Sequence, residues 1–233
     1  MNRLTTGCIF LLSVFLFSCD REDPGPLQEE TREFTVIDFD RLEMGSAFKI
    51  TVEEGSVFKI SARGDRRNIN DLKVYKTGST LVIKYDESAN RKHETYIRIK
   101  MPVLKGVNFS GATESVIEDF ESDESLDVNL AGASVCQIDA DYKNMNIVLS
   151  GASKLYLSGD GDAIEANISG ASTLKGFNYD IREVLLNASG ASNAEVSVSD
   201  KLSVTANGAS EVFYKGNPTV EKDVSGGSKV QKQ

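Results

Sequence analysis

The sequence predicts an all-β chain wound into a parallel β-helix, a solenoid with short coils of about 19 residues. Three observations carry this. One four-residue word recurs, as "SGAT" (110–113), "AGAS" (131–134), "SGAS" (150–153, 169–172, 189–192), "NGAS" (207–210) and "SGGS" (225–228). Its glycines are Gly111, Gly132, Gly151, Gly170, Gly190, Gly208 and Gly226, with separations of 21, 19, 19, 20, 18 and 18 residues. A short fixed period marks a stack of like units. Columns aligned on these glycines are mostly apolar at alternate positions, which is the period of a strand with one face inward. No helical period competes, the four prolines are few, and Trp is absent.

The N-terminus is read as a leader. Arg3 gives a basic start, and an apolar run from Cys8 to Phe17 follows. That run is too short to span a bilayer but suits a secretory signal over 1–18. It ends in "LFSC", which looks like a bacterial lipobox and predicts cleavage before Cys19 and lipidation of that cysteine. A plain signal peptide cut elsewhere is the alternative. Residues 19–31 are charged and hold Pro24 and Pro26, so they read as a flexible tether. Acidic residues directly behind the cysteine resemble a surface-export signal, and a solvated linker would look the same.

Residues 32–105 alternate apolar and polar residues but lack the repeated word. "TVEEGS" and "KTGS" mark tight turns. No linker separates Met101 from Gly106, which predicts that 32–105 forms early coils of the same solenoid.

Residues 106–233 hold the seven repeats. Two places before each glycine stand Phe109, Leu130, Leu149, Ile168, Ala188, Ala206 and Val224. Four places after stand Ser115, Cys136, Leu155, Leu174, Ala194, Val212 and Val230. Each repeat therefore predicts strand, sharp corner, strand and a looser polar turn. The word falls at the corner. Glycine permits the bend, alanine gives clearance, and the hydroxyls are expected to form a ladder that satisfies itself from coil to coil. The sequence leaves open whether those hydroxyls point in or out. Seven coils at about 4.8 Å each make a stack roughly 30 Å long.

These features resemble a known family. A lipobox, an alternating stretch ending in "MPVLKGVNFSGA" and repeated "SGAS" corners are similar to the head GIN domain of auto-transporter adhesins. The resemblance covers most of 32–233. It implies a right-handed, single-stranded parallel β-helix on a secreted or envelope-anchored protein of the Bacteroidetes type. No catalytic residues come with it.

The chain has a formal net charge of −9, and loss of residues 1–18 removes only Arg3, giving −10. An acidic chain argues against nucleic acid and anionic membrane surfaces as partners. Of three cysteines, Cys8 leaves with the leader and Cys19 carries lipid, so Cys136 has no disulfide partner. It sits in an apolar column and reads as a buried, inert thiol. His93 is the only histidine and lies in a charged loop, without the partners that catalysis or a metal needs. Neither a cofactor nor a metal site is expected. Asp141, Asp160, Asp180 and Asp200 fall at equivalent turns and form the best enzymatic lead; ordinary turn chemistry explains them as well. "RGD" at 63–65 is expected in a turn and has a double reading, as a cell-adhesion mimic or as ordinary turn chemistry. The sequons at Asn108, Asn167 and Asn187 follow from the repeat itself.

The expected function is a non-enzymatic, lipid-anchored solenoid of the bacterial cell envelope, at the outer membrane and exposed at the surface. It would contact the membrane through Cys19 and a glycan or protein at the cell surface, in adhesion or docking. A carbohydrate-active, pectinase-like β-helix enzyme and a structural or sensory protein without external ligand are the alternatives. Three or more convergent carboxylate, Lys or Arg side chains in a groove on one sheet face would favour the enzyme, and a flat, shallow face without such a cluster would favour binding or structure.

Overall fold

A computed structural model describes residues 25–233. The expected leader with Cys8, and Cys19, the expected lipidation site, lie outside the described residues.

The repeats form a β-solenoid. Its long strands are β9 (Glu114–Leu130), β10 (Val135–Leu149), β11 (Lys154–Ile168), β12 (Thr173–Ala188) and β13 (Asn193–Ala206). β8 (Gly106–Phe109) precedes them, and β14 (Glu211–Lys215), β15 (Thr219–Val224) and β16 (Lys229–Lys232) follow. All neighbours in this stack pair in parallel. Six turns separate Gly111 from Gly226, at about 20 residues each. Register places like on like. Leu130 lies beside Leu149, then Ile168, Ala188 and Ala206, all buried. Such a column removes apolar area that one coil alone would leave wet, at roughly 1.5–3 kcal/mol for each large side chain.

The looser turn expected inside each repeat is not a break. β9 to β13 run through it, each 14–17 residues long. The polar stretch appears as register shifts, at Asp139/Asp141 and Gly176/Asp180 among others. Neighbouring coils supply the backbone partners there, so the chain bends without leaving the ladder. Each coil thus offers one sheet face before the corner, one after it, and a third side at the bend.

The seven glycines sit at the sharp corners with φ between 67° and 80°. Left-handed backbone is one reason for glycine. Packing is a second. A Cβ on Gly170 would stand 2.4 Å from the carbonyl oxygen of Gly151. The cause is a backbone ladder that continues across the corner: Ala171 N–H donates to Gly151 O at 2.7 Å and Ala191 N–H to Gly170 O at 2.8 Å. Glycine and alanine face solvent, while Ser134, Ser153, Ser172, Ser192 and Ser210 are buried.

The hydroxyls therefore point inward. They form no unbroken ladder. Ser153 reaches Ser172, and Ser192 reaches Ser210, each at 3.3 Å. Ser134 and Ser210 instead donate to Ala131 O and Asn207 O at 2.8 Å. A carbonyl three residues back within the same corner competes with the next coil, and the shorter contact wins.

Residues 29–105 follow the expected early coils only in part. β2 (Arg41–Met44) and β3 (Lys49–Glu54) stack in parallel on β8 and the start of β9. Between them "GSAF" (45–48) forms one more corner, with Ser46 at φ 63° and Ala47 at φ 58°. β6 (Thr80–Tyr85) and β7 (Thr95–Met101) add a further parallel layer on β2 and β3. Beyond it the direction reverses. β4 (Lys59–Asp65) runs antiparallel to β7, and β5 (Leu72–Thr77) antiparallel to β6. The short helix α1 (Arg66–Asn70) joins those two, and β1 (Glu29–Phe34) pairs antiparallel with β4. A two-residue hairpin at Gly78 and Ser79 makes the β5–β6 reversal short, whereas a parallel return needs a long crossover. The reversed layer shields the backbone edge of the stack. Residues 29–31, expected in the tether, belong to β1.

Two tyrosines lock the core across several coils. Tyr142 and Tyr179 are both fully buried. Tyr179 OH donates to Tyr142 O at 3.1 Å and accepts from Tyr142 N–H at 3.2 Å. Tyr142 OH donates to Leu104 O at 2.9 Å. The coil between them yields the space: a Cβ on Gly161 would stand 2.3 Å from Tyr142 O and 2.9 Å from Tyr179 OH. "SGDGD" thus serves core packing as well as the bend.

Candidate functional site

The bend side of the solenoid carries an open groove of about 1160 Å3. It contains three of the four acidic residues singled out from sequence, Asp141, Asp160 and Asp180, joined by Glu54, Glu121, Asp123 and Asp162. Asp160 and Asp180 lie side by side in register. Asp200 lies beyond the lining of the groove but is tied to it through Arg182. Four of these carboxylates have partners of their own. Asp141 Oδ1 accepts from Asp160 N–H at 2.9 Å, and Asp180 Oδ1 accepts from Ser197 OH at 3.1 Å. Arg182 sits 3.5 Å from Asp162 and 3.2 Å from Asp200. These contacts tie one coil to another. Among the described residues no three His, Cys, Asp or Glu side chains converge as metal ligands would.

The remaining candidates fall into structural roles. Asp65 of "RGD" is 1% exposed. It caps α1 by accepting from Arg67 N–H at 3.0 Å, and it accepts from Gln28 N–H at 3.0 Å. Bonds from Arg67 hold its carboxyl far below the usual carboxylate range. A carboxylate so enclosed has nothing left to offer a receptor. His93 Nε2 lies 3.1 Å from Gly25 O. Burial pushes the Cys136 thiol up to about 12, so it carries no thiolate at neutral pH. Asn108, Asn167 and Asn187 all project from the face before the corner; Asn187 Nδ2 donates to Asn167 Oδ1 at 3.0 Å.

The face after the corner is chemically richer. It is continuous through eleven strands in the order β1-β4-β7-β3-β9-β10-β11-β12-β13-β14-β16. Ten spacings of about 4.8 Å make it about 50 Å long. Ion pairs cross it: Lys49–Glu114 and Lys175–Glu195 at 2.5 Å, Lys100–Glu53 at 2.7 Å, and Lys229–Glu211 at 3.2 Å. Tyr96, Tyr156, Phe177 and Phe213 punctuate it. Arg63 covers the Tyr96 ring at 4.5 Å, and Lys215 covers Phe177 at 4.3 Å. Two shallow depressions lie side by side here, about 460 and 290 Å3, and share Val116 and Gln137. Sequence columns placed these side chains outward. They concealed the aromatic set, because Tyr156 and Phe177 occupy different columns of the repeat.

Residues 38–218 match the family model described as "Putative auto-transporter adhesin, head GIN domain". No curated protein matches the chain. Solved structures share the fold. One titled a putative adhesin from Bacteroides fragilis has a TM-score of 0.76 at 21% identity, covering 88% of this chain and 95% of that one. A putative adhesin from Parabacteroides merdae has a TM-score of 0.68 at 15% identity, covering 88% and 96%. A structure titled a putative lipid binding protein from Parabacteroides distasonis has a TM-score of 0.68 at 20% identity, with the same coverage. The family match spans well over half of the sequence, so the chain belongs to the head GIN domain family.

Proposed function

We propose that this head GIN domain chain is a non-enzymatic binding module of the bacterial cell surface, working in adhesion or docking. Family membership supports a place at the cell envelope. The observation that carries the reading is the eleven-strand face after the corner. It is long and backed by a continuous core, and it carries aromatic and charged groups outward. A rigid face of this kind suits contact with a broad partner, because little order is lost on binding.

The proposal includes the anchor. Cys19 carries lipid after the leader is removed, and the charged residues behind it space the solenoid from the outer membrane. β1 begins at Glu29, which leaves about ten residues of reach.

Cells making the full chain are expected to incorporate a palmitate analogue into it. Cys19→Ser should abolish that label, and a fully labelled Cys19→Ser chain would overturn the anchor. The same cells should be retained on mucin-coated or matrix-coated surfaces above cells lacking the chain. Equal retention on both coatings, with the chain accessible to antibody on intact cells, would overturn the adhesive role.

A further inference from the structure

We propose that the depression around Tyr156 binds a neutral pyranose unit of an oligosaccharide. This deepens the surface-binding role and rests on it, because it names the ligand class for the same face.

The first argument is the state of the aromatic rings. Two of the outward aromatics on this face are covered by cations of the chain itself, Arg63 over Tyr96 and Lys215 over Phe177. Among the described residues no cation lies over Tyr156, which is 41% exposed and stands at the wall of the depression. A pyranose presents a patch of C–H groups that packs flat on such a ring. That burial removes apolar area from water on both sides.

The second argument is the distribution of unused hydrogen-bonding groups. Charges along the rest of the face are largely paired within the chain. Around Tyr156 only Lys175 and Glu195 are paired with each other. The side chains of Glu118, Gln137 and Asp139 make no hydrogen bond or ion pair with any described residue. Glu118 lies directly beside Asp139, and Gln137 directly beside Tyr156. Two carboxylates and one amide present acceptors and donors together. Sugar hydroxyls, which both donate and accept, match that mixture.

The third argument decides neutral over charged. Glu118 and Asp139 repel an acidic sugar. Lys175, also lining the depression, is taken up by Glu195 at 2.5 Å and offers no free positive charge. Size and shape then favour a short stretch of chain. A site of about 290 Å3 is at the low end for ligand sites, and its larger neighbour continues through Val116 and Gln137 toward Tyr96. The pair forms a track across the strands, so consecutive sugar units would cross successive coils.

The chain has no tryptophan, so Tyr156→Trp creates a single reporter at the site. The full-chain variant is titrated with cellopentaose, mannopentaose, xylopentaose, chitopentaose and, as the charged control, trigalacturonate. At least one neutral oligosaccharide should shift the indole emission saturably. Titration of the native chain with that sugar should give a measurable Kd, weakened roughly tenfold by Tyr156→Ala. Gln137→Ala should weaken it as well. Circular dichroism checks that each variant is folded. No response to any neutral sugar by a folded Tyr156→Trp chain, together with no binding by the native chain, would overturn the proposal. So would binding of trigalacturonate alone, or a folded Tyr156→Ala chain that binds as the native one does. Cell retention separates the two readings. Retention that survives Tyr156→Ala sinks the sugar site and leaves adhesion standing. A sugar bound by a chain that retains no cells sinks adhesion and leaves the site.

Discussion

From Gly111 to Gly226 every coil rests on a near copy of itself, while from Glu29 to Met101 strand direction changes and no word recurs. The repeated part gains stability by stacking. Its glycines, serines and apolar residues each meet their own kind one coil away. The N-terminal part must instead end the stack. It does so with reversed strands, a five-residue helix and local charge contacts. A defect should therefore propagate in the first region and stay local in the second.

Glycine substitution offers the largest test of that contrast. Gly170→Val places a Cβ against Gly151 O in left-handed backbone, and should cost about 4 kcal/mol. Gly78→Ala sits at similar φ, 61°, with nothing within 4 Å of its Cβ, and should cost only about 1 kcal/mol. Urea denaturation of both measures the gap. Equal losses would mean that backbone angle alone, and not stacking, makes the corner need glycine.

Tyr179→Phe comes next. It leaves both backbone groups of buried Tyr142 without their partner and should cost about 2 kcal/mol. Gly161→Ala should disturb the same contact. A Tyr179→Phe chain with native stability would sink the cross-coil lock.

Asp65→Asn tests the N-terminal part, with an expected loss of about 1.5 kcal/mol at pH 7. The folded carboxyl holds its proton less tightly than the unfolded one. Its contribution is therefore complete above about pH 4, the unfolded value, and is lost as pH falls further. The difference between native and variant stability should shrink below that point. A difference that grows in acid would refute the assignment.

The seam between the regions gives the smallest effect. Thr113 heads the buried hydroxyl column, yet its Oγ1 has no partner among the described residues. On one side it meets Phe48 where later corners meet serine or threonine, as the register of Met44 on Phe109 and Lys49 on Glu114 fixes. Thr113→Val should raise stability by up to about 1 kcal/mol, read from the melting temperature. Ser172→Ala, whose hydroxyl receives a bond from Ser153, should lower it by a similar amount.

Period, corner and inward columns were all readable because each depends on neighbours within one repeat. Leu130 and Leu149 betray their contact by occupying the same place in the word. The "GSAF" corner escaped notice because its letters fall in a different order, with Ser46 and not glycine in left-handed backbone. The uncovered ring of Tyr156 escaped because whether Arg63 or Lys215 reaches an aromatic depends on the packing of distant strands.

The sequence by itself determined that the chain stacks, at what period, and where it bends, since a repeated local pattern has one way to bury its apolar side. The tertiary structure alone decided how the stack ends, which way the serines point, and what passes through Gly161. Those outcomes rest on contacts between residues tens of positions apart, such as Asp65 with Gln28 and Tyr179 with Tyr142. No short pattern encodes them, because their geometry exists only after the coils have formed.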